Sequence, residues 1–163
     1  MLLPEKDEEI SSLNRQATEH FGNKEFGQAI ECLEKAQELM RKSLISFPIE
    51  TYLRLPLYLQ QAGRFDEAMQ KFEKLLHEVD ERNEVAYSHR PKFIQEGLAY
   101  SDYRTIYDKM RLACKRQKLP DEAAKYETLS NKFDDKHQKF MVKARKYDEK
   151  RNSEFRKKYN LKN

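Results

Sequence analysis

The segment YLRLPLYLQQAGRFDEAMQKFEKLL, Tyr52 to Leu76, sets a proline in the middle of a helical run. Ala68, Met69, Phe72, Leu75 and Leu76 recur at three- and four-residue steps, the spacing of one helix face. Before them, Ile49 to Ala62 reads as a helix closed by Gly63, which supplies a left-handed residue, and Asp66 or a neighbour caps the next. Helices joined by so short a turn lie antiparallel. The segment is therefore a helical hairpin with Pro56 inside its first helix. A proline there leaves the carbonyl of Tyr52 without its hydrogen-bond donor and crowds it, at about 3 kcal/mol in a regular helix. Either the ring only accommodates curvature, or a bend between Tyr52 and Pro56 reshapes the surface that the hairpin presents.

The same period extends in both directions. Ile10, Leu13, Ala17 and Phe21 predict a helix from about Glu5 to Phe21, and the turn GNKEF leads into a second stripe, Phe26, Ala29, Ile30, Leu33, Ala36, Leu39 and Met40, ending near Ser46 to Pro48. Between Glu81 and Tyr100 the period weakens, with breaks at His89 to Pro91 and at Gly97, so a loop with one short helix is expected there. Tyr103, Ile106, Tyr107, Met110, Leu112 and Ala113 resume the stripe to about Gln117. Pro120 then opens a long last helix with a narrow seam of Tyr126, Leu129, Phe133, Phe140, Ala144 and Tyr147. About seven helices result. With 4 Gly and 5 Pro in 163 residues there is little turn chemistry for a sheet, so the fold class is all-α. Leu, Ile, Val and Phe together make up only about a fifth of the chain, which predicts a thin helical layer stapled by aromatics.

Superposing the turns aligns KEFGQAIECLEKA at 24 to 36, GRFDEAMQKFEKL at 63 to 75 and KLPDEAAKYETL at 118 to 129. The first two share an aromatic, an alanine three residues on and a bulky residue four later. That pattern resembles the tetratricopeptide repeat, in which small residues let two helices approach and aromatics fill the gap. Ala29, Ala68 and Ala123 match its small residue, Phe26 and Phe65 its turn aromatic, and Leu33 and Phe72 its large residue. The match departs from the family in spacing: 39 residues separate the first two alanines and 55 the next two, against a family period of about 34. The third unit has Pro120 in place of the aromatic, and Tyr126 falls one position early. The resemblance covers roughly residues 10 to 130. It implies a short α-solenoid of antiparallel hairpins whose first helices line a concave groove for a peptide or partner helix.

Carried over by position, the groove would hold Asn14 and Thr18 from the first repeat, Leu53, Leu57 and Gln60 from the second, and Asp108, Leu112 and Lys115 from the third. Family members that clamp a terminal carboxylate use a Lys and Asn pair where this chain has Asn14 and Thr18, so the resemblance does not extend to that clamp. Leu53 and Leu57 can equally be covered by the neighbouring helix. Pro56 falls where the family places a small residue, and a compact ring meets that packing requirement.

Charge divides the chain in two. Residues 1 to 131 carry 20 Lys and Arg against 23 Asp and Glu, whereas 132 to 163 carry 12 against 5, within an overall charge of +4. A repeat region at 1–131 and a basic extension of the last helix at 132–163 follow. The extension sets Tyr147, Phe155 and Tyr159 among Lys143, Lys146, Arg151, Arg156 and Lys157. Cations interleaved with aromatic rings suit phosphates and stacked bases. Asp148, Glu149 and Glu154 at helical spacings from the cations suit a self-neutralising solvated helix instead. A docking surface for an acidic protein is the third reading.

Catalysis finds no motif. His20, His77, His89 and His137 are scattered, no HxxxH or CxxC pairing offers metal ligands, and no glycine-rich phosphate loop or nucleophile elbow occurs. No cofactor or metal is expected. Cys32 and Cys114 read as reduced thiols, and MLLPEKDEEI is too short in apolar residues for an export signal, so a cytoplasmic, non-membrane protein is expected. The expected function is non-catalytic binding of another protein or peptide, as an adaptor or as an inhibitor or immunity-type binder. The alternative is a nucleic-acid or ribonucleoprotein accessory protein acting through the basic tail.

Overall fold

Three turns built alike divide the chain into helical hairpins. The N–H of Glu25 bonds to the carbonyl of His20 at 2.8 Å, that of Arg64 to Leu59 at 2.9 Å and that of Leu119 to Cys114 at 3.0 Å, each a helix closed by a bond reaching five residues back. The residue before each donor is left-handed: Lys24 at φ 63°, Gly63 at 81° and Lys118 at 58°. The computed structural model describes residues 4–160, and the apolar run at Met1 to Leu3 lies outside them.

Six helices, and no strand, form among the described residues: α1 Pro4–Gly22, α2 Phe26–Lys42, α3 Ile49–Gln61, α4 Phe65–Ala86, α5 Lys92–Arg116 and α6 Pro120–Lys158. The all-α expectation therefore holds, and the second helix of each pair opens at the aligned positions Phe26, Phe65 and Pro120. Pro120 is tolerated because the first N–H of a helix has no intrahelical partner to lose. Ala29, Ala68 and Ala123 are buried one turn later.

Each helix packs on the next, and α3 also packs on α5. Cross-links show two layers. In one, Arg54 of α3 reaches Asn14 and Thr18 of α1, and Arg116 of α5 reaches Gln60 of α3. In the other, Arg41 of α2 pairs with Glu78 of α4 and Lys71 of α4 with Glu34 of α2. α6 runs back along α5, as Phe93 meets Tyr147, Arg104 meets Asp134 and Tyr107 meets Tyr126. The main core gathers Ile10, Met40, Tyr52, Leu53, Phe72, Val79, Ile106 and Met110, while Ala17, Ile30, Leu33, Leu55, Leu59 and Ala68 form a second cluster.

Pro56 sits fully buried inside an unbroken α3. The carbonyl it deprives of a donor belongs to Tyr52, and the Nε2 of Gln37 donates to that oxygen at 2.7 Å from α2. Gln37 is itself buried. The side chain of one hairpin thus replaces the backbone donor that the next hairpin lacks, and no interruption of α3 is needed.

The region from Glu81 to Tyr100 differs from the expected loop with one short helix, and the helices number six instead of seven. α4 continues to Ala86, the break is confined to 87–91, and α5 passes through Gly97 unbroken. Gly97 serves packing: a methyl on it would lie 2.0 Å from Cδ2 of Phe140 on α6. α2 also ends at Lys42, earlier than expected, and α4 begins at Phe65 with Asp66 in its first turn instead of at the cap. Gly97→Ala decides between two opposed effects. Alanine's helix propensity alone would stabilise by about 1 kcal/mol, whereas overpacking against Phe140 costs about 1–3 kcal/mol. The variant is expected to unfold at lower denaturant, and a variant more stable than wild type would contradict the close α5–α6 crossing.

Candidate functional site

The short turns alternate helix direction, so the α2–α3 linker, the α4–α5 loop and the C-terminus of α6 emerge at one end of the array. At that end the chain leaves large apolar side chains in water. Leu44 is 81% exposed and Val85 73%, and both line a cleft of about 450 Å³ together with Ile45, Phe47, Arg82 and Ala86. Leu44 and Ile45 are there because the linker 43–48 holds no helix into which they could turn. Val85 is there because the buried stripe of α4 passes through Val79 and Asn83, which leaves position 85 on the solvent side. The floor is rigid: Arg82 lies 4.3 Å over the ring of Tyr52, Arg41 lies 5.5 Å over the same ring, and Nη2 of Arg82 donates to the carbonyl of Phe47 at 2.9 Å.

α6 leaves the body at the same end. Tyr147 stacks edge-on against Phe93 at 5.3 Å, and Asp148 pairs with Arg90 at 3.1 Å. Beyond Asp148 every described residue is exposed, so the helix projects for ten more residues to Lys158, roughly 15 Å at 1.5 Å per residue. Phe155 and Tyr159 are more than half exposed and pack on each other at 4.6 Å. Phe155 follows Asp148 by two helical turns, so it continues the side of α6 that faces the α4–α5 loop.

Beneath this end, where α4, α5 and α6 meet, lies a polar junction around a cavity of about 200 Å³. Asn83 is buried and donates to Oδ2 of Asp102 at 3.0 Å and to the carbonyl of Val79. Burial raises the Asp102 carboxyl above the usual range; the bond from Asn83 and the charge of Arg82 oppose this, and Glu50 adds to it. Burial lowers the His137 imidazole, helped by the like charge of Arg104 and opposed by Asp134. Nη1 of Arg82 and Nδ1 of His137 are enclosed without a protein partner. A cavity of this size with unmatched polar atoms suits internal water.

The residues expected to line a groove separate into three groups. Asn14 and Thr18 face α3, but the guanidinium of Arg54 occupies them, with bonds of 2.8 Å to Asn14 Oδ1 and 2.7 Å to Thr18 Oγ1. Leu53 is 1% exposed and Gln60 6%, so both belong to the interior, where Oε1 of Gln60 accepts from Arg116; a partner on this face would not meet them. Leu57 and Leu112 are half-buried, Asp108 binds Arg111 at 2.8 Å, and Lys115 is exposed. An open groove of about 850 Å³ does run along α1 and α3, lined by Asp7, Ser11, Asn14, Arg15, Thr51 and Arg54. Of the basic tail, Lys143 lies 4.8 Å over the ring of Phe93, while Lys146, Arg151, Arg156 and Lys157 are exposed.

Among the described residues no group of three or more His, Cys, Asp or Glu is placed to hold a metal, and no helix is long and apolar enough to cross a membrane. No protein-family model, no curated protein and no solved structure matches the chain. The apolar end was missed in the sequence. Its signal was Leu44, Ile45 and Val85, apolar residues that fit no helical stripe.

The raised Asp102 carboxyl gives a pH test. The folded state holds this proton at pH values where the unfolded chain, near 3.9, has released it, so stability falls as pH rises from about 4 through the raised value. Asp102→Asn keeps an acceptor for Asn83 and removes that loss. The melting temperature of the variant relative to wild type is expected to be higher at pH 7 than at pH 4. A difference that is the same at both pH values would contradict the assignment.

Proposed function

We propose that this chain is a non-catalytic, tetratricopeptide-like scaffold that binds another protein, and that it does so at the end of the array bearing Leu44, Val85 and the projecting α6. Support for the repeat reading comes from the three superposable turns with buried Ala29, Ala68 and Ala123. The observation that carries the binding reading is the placement of the exposed apolar side chains. A soluble surface tolerates them singly, but a cluster around a cleft marks a surface built to be covered. Leu44, Ile45 and Val85 form such a cluster on a floor held by Arg82 and Tyr52.

This reading is preferred to nucleic-acid binding because aliphatic side chains offer nothing to a phosphate backbone. In the tail, Lys143 is engaged with Phe93, and Phe155 and Tyr159 pack on each other. A cytosolic setting agrees with the free thiols of Cys32 and Cys114.

Site-specific photocrosslinking in a lysate of the native cells tests the proposal. A benzophenone side chain at Val85 is expected to form protein adducts that survive nuclease treatment, whereas the same group at Thr128, exposed on α6 away from this end, gives none. Adducts at Val85 that vanish with nuclease would transfer the function to nucleic acid. Equal adducts at both positions would remove the claim of a specific surface.

A further inference from the structure

We infer that the partner is a second copy of this chain, whose projecting α6 tip lies across the apolar cleft of the first. The inference rests on the protein-binding reading above and names the occupant of the same surface. Each half of the contact is present and uncovered on one molecule. The cleft half is a stripe of α4, where Glu78, Glu81 and Val85 follow at steps of three and four residues and so share one side of the helix. Val85 and Glu81 are exposed there, and Leu44 and Ile45 line the cleft with them. Glu84, next to Val85, is exposed too. The other half is the tip. Arg151, Phe155 and Tyr159 recur at steps of four, and the two rings touch at 4.6 Å, so a cation and an aromatic pair line one side of α6 beyond Asp148. Residues 149–160 carry five Lys and Arg against two Asp and Glu.

Charge at the cleft selects a basic occupant. Arg41 pairs with Glu78 at 3.1 Å, and Arg82 is turned inward, over the ring of Tyr52 and onto the carbonyl of Phe47. Glu81 and Glu84 take part in no ion pair among the described residues, so the rim offers a partner two carboxylates beside aliphatic side chains. The tip offers the complement. Phe155 has Arg151 one turn before it, as Val85 has Glu81, so the rings cover Leu44, Ile45 and Val85 while Lys150 and Arg151 meet Glu81 and Glu84. Nucleic acid would meet the same carboxylates as a like charge. Leu44, Val85, Phe155 and Tyr159 are all exposed in the single chain, so the contact is one between copies. The wider charge distribution agrees: residues 1–131 carry more acids than bases and 132–163 the reverse, so a tip is attracted to a neighbour's body.

Sedimentation velocity on the full chain at several concentrations tests this. The wild type is expected to associate as concentration rises. Val85→Glu and Phe155→Ser are each expected to weaken that association about tenfold or more with helicity retained, since both positions are exposed. Glu81→Lys with Glu84→Lys, and separately Lys150→Glu with Arg151→Glu, are expected to weaken it by about the same factor. An equimolar mixture of these two charge variants is expected to recover it, because each tip then meets a rim of opposite sign. A wild type that stays monomeric at every concentration would overturn the inference. So would association indifferent to Val85→Glu or Phe155→Ser, or a mixture that associates no better than its components. If crosslinking at Val85 joins a different protein while the purified chain stays monomeric, the inference fails and the protein-binding reading stands. If no protein adduct forms and the chain stays monomeric, both fail.

Discussion

A single hydrogen bond, from Nε2 of Gln37 to the carbonyl of Tyr52, reconciles the sequence of the second hairpin with its fold. Pro56 removes the donor that this carbonyl would otherwise have, and burial removes water as a substitute. A buried carbonyl left unpaired costs about 1–3 kcal/mol, a large share of the stability of a small domain. Gln37 supplies the missing donor from the preceding hairpin, so the defect in α3 becomes a link between α2 and α3. The ring of Tyr52 extends the link further, since Arg41 from α2 and Arg82 from α4 both lie over it. Three helices are thereby tied at the level from which the apolar cleft opens.

Hairpin stacking then proceeds by small residues and short turns. Ala29, Ala68 and Ala123 lie one turn into the second helix of each pair, and each turn is closed by the same bond from a residue following a left-handed one. Only Gly63 among the three is a glycine; Lys24 and Lys118 adopt the same conformation despite its cost of about 1–2 kcal/mol for a residue with a Cβ. The third hairpin departs from the first two in the length of α6, which supports α5 through Tyr126, Phe133 and Tyr147 and then continues past Asp148 with every described residue exposed. Residues 149–160 of that length carry five Lys and Arg against two Asp and Glu.

The parts of this arrangement written as local patterns were legible in the sequence. The turns around Gly63 and Lys24, the alanines and the aromatic seam of α6 follow from spacing alone. What was misread depended on contacts between distant residues. Gly97 looks like a break because glycine disfavours a helix, yet here it admits Phe140 from a helix more than forty positions on. Leu53 and Gln60 were assigned to a groove by their place in a repeat. The α3–α5 packing turns them inward, and Arg116 then holds Gln60. The reverse error applies to Leu44, Ile45 and Val85, which fit no stripe and so drew no attention. Their irregularity is what leaves them exposed.

The dependence of α3 on Gln37 is tested most directly by a double-mutant cycle at positions 37 and 56, followed by denaturant unfolding. Gln37→Leu in the wild-type background leaves the carbonyl of Tyr52 unpaired and is expected to destabilise by about 1–3 kcal/mol. In a Pro56→Ala background residue 56 regains an N–H that can serve that carbonyl within α3, and the same substitution is expected to cost less by at least about 1 kcal/mol. Equal costs in the two backgrounds would mean that Gln37 does not substitute for the donor that Pro56 removes.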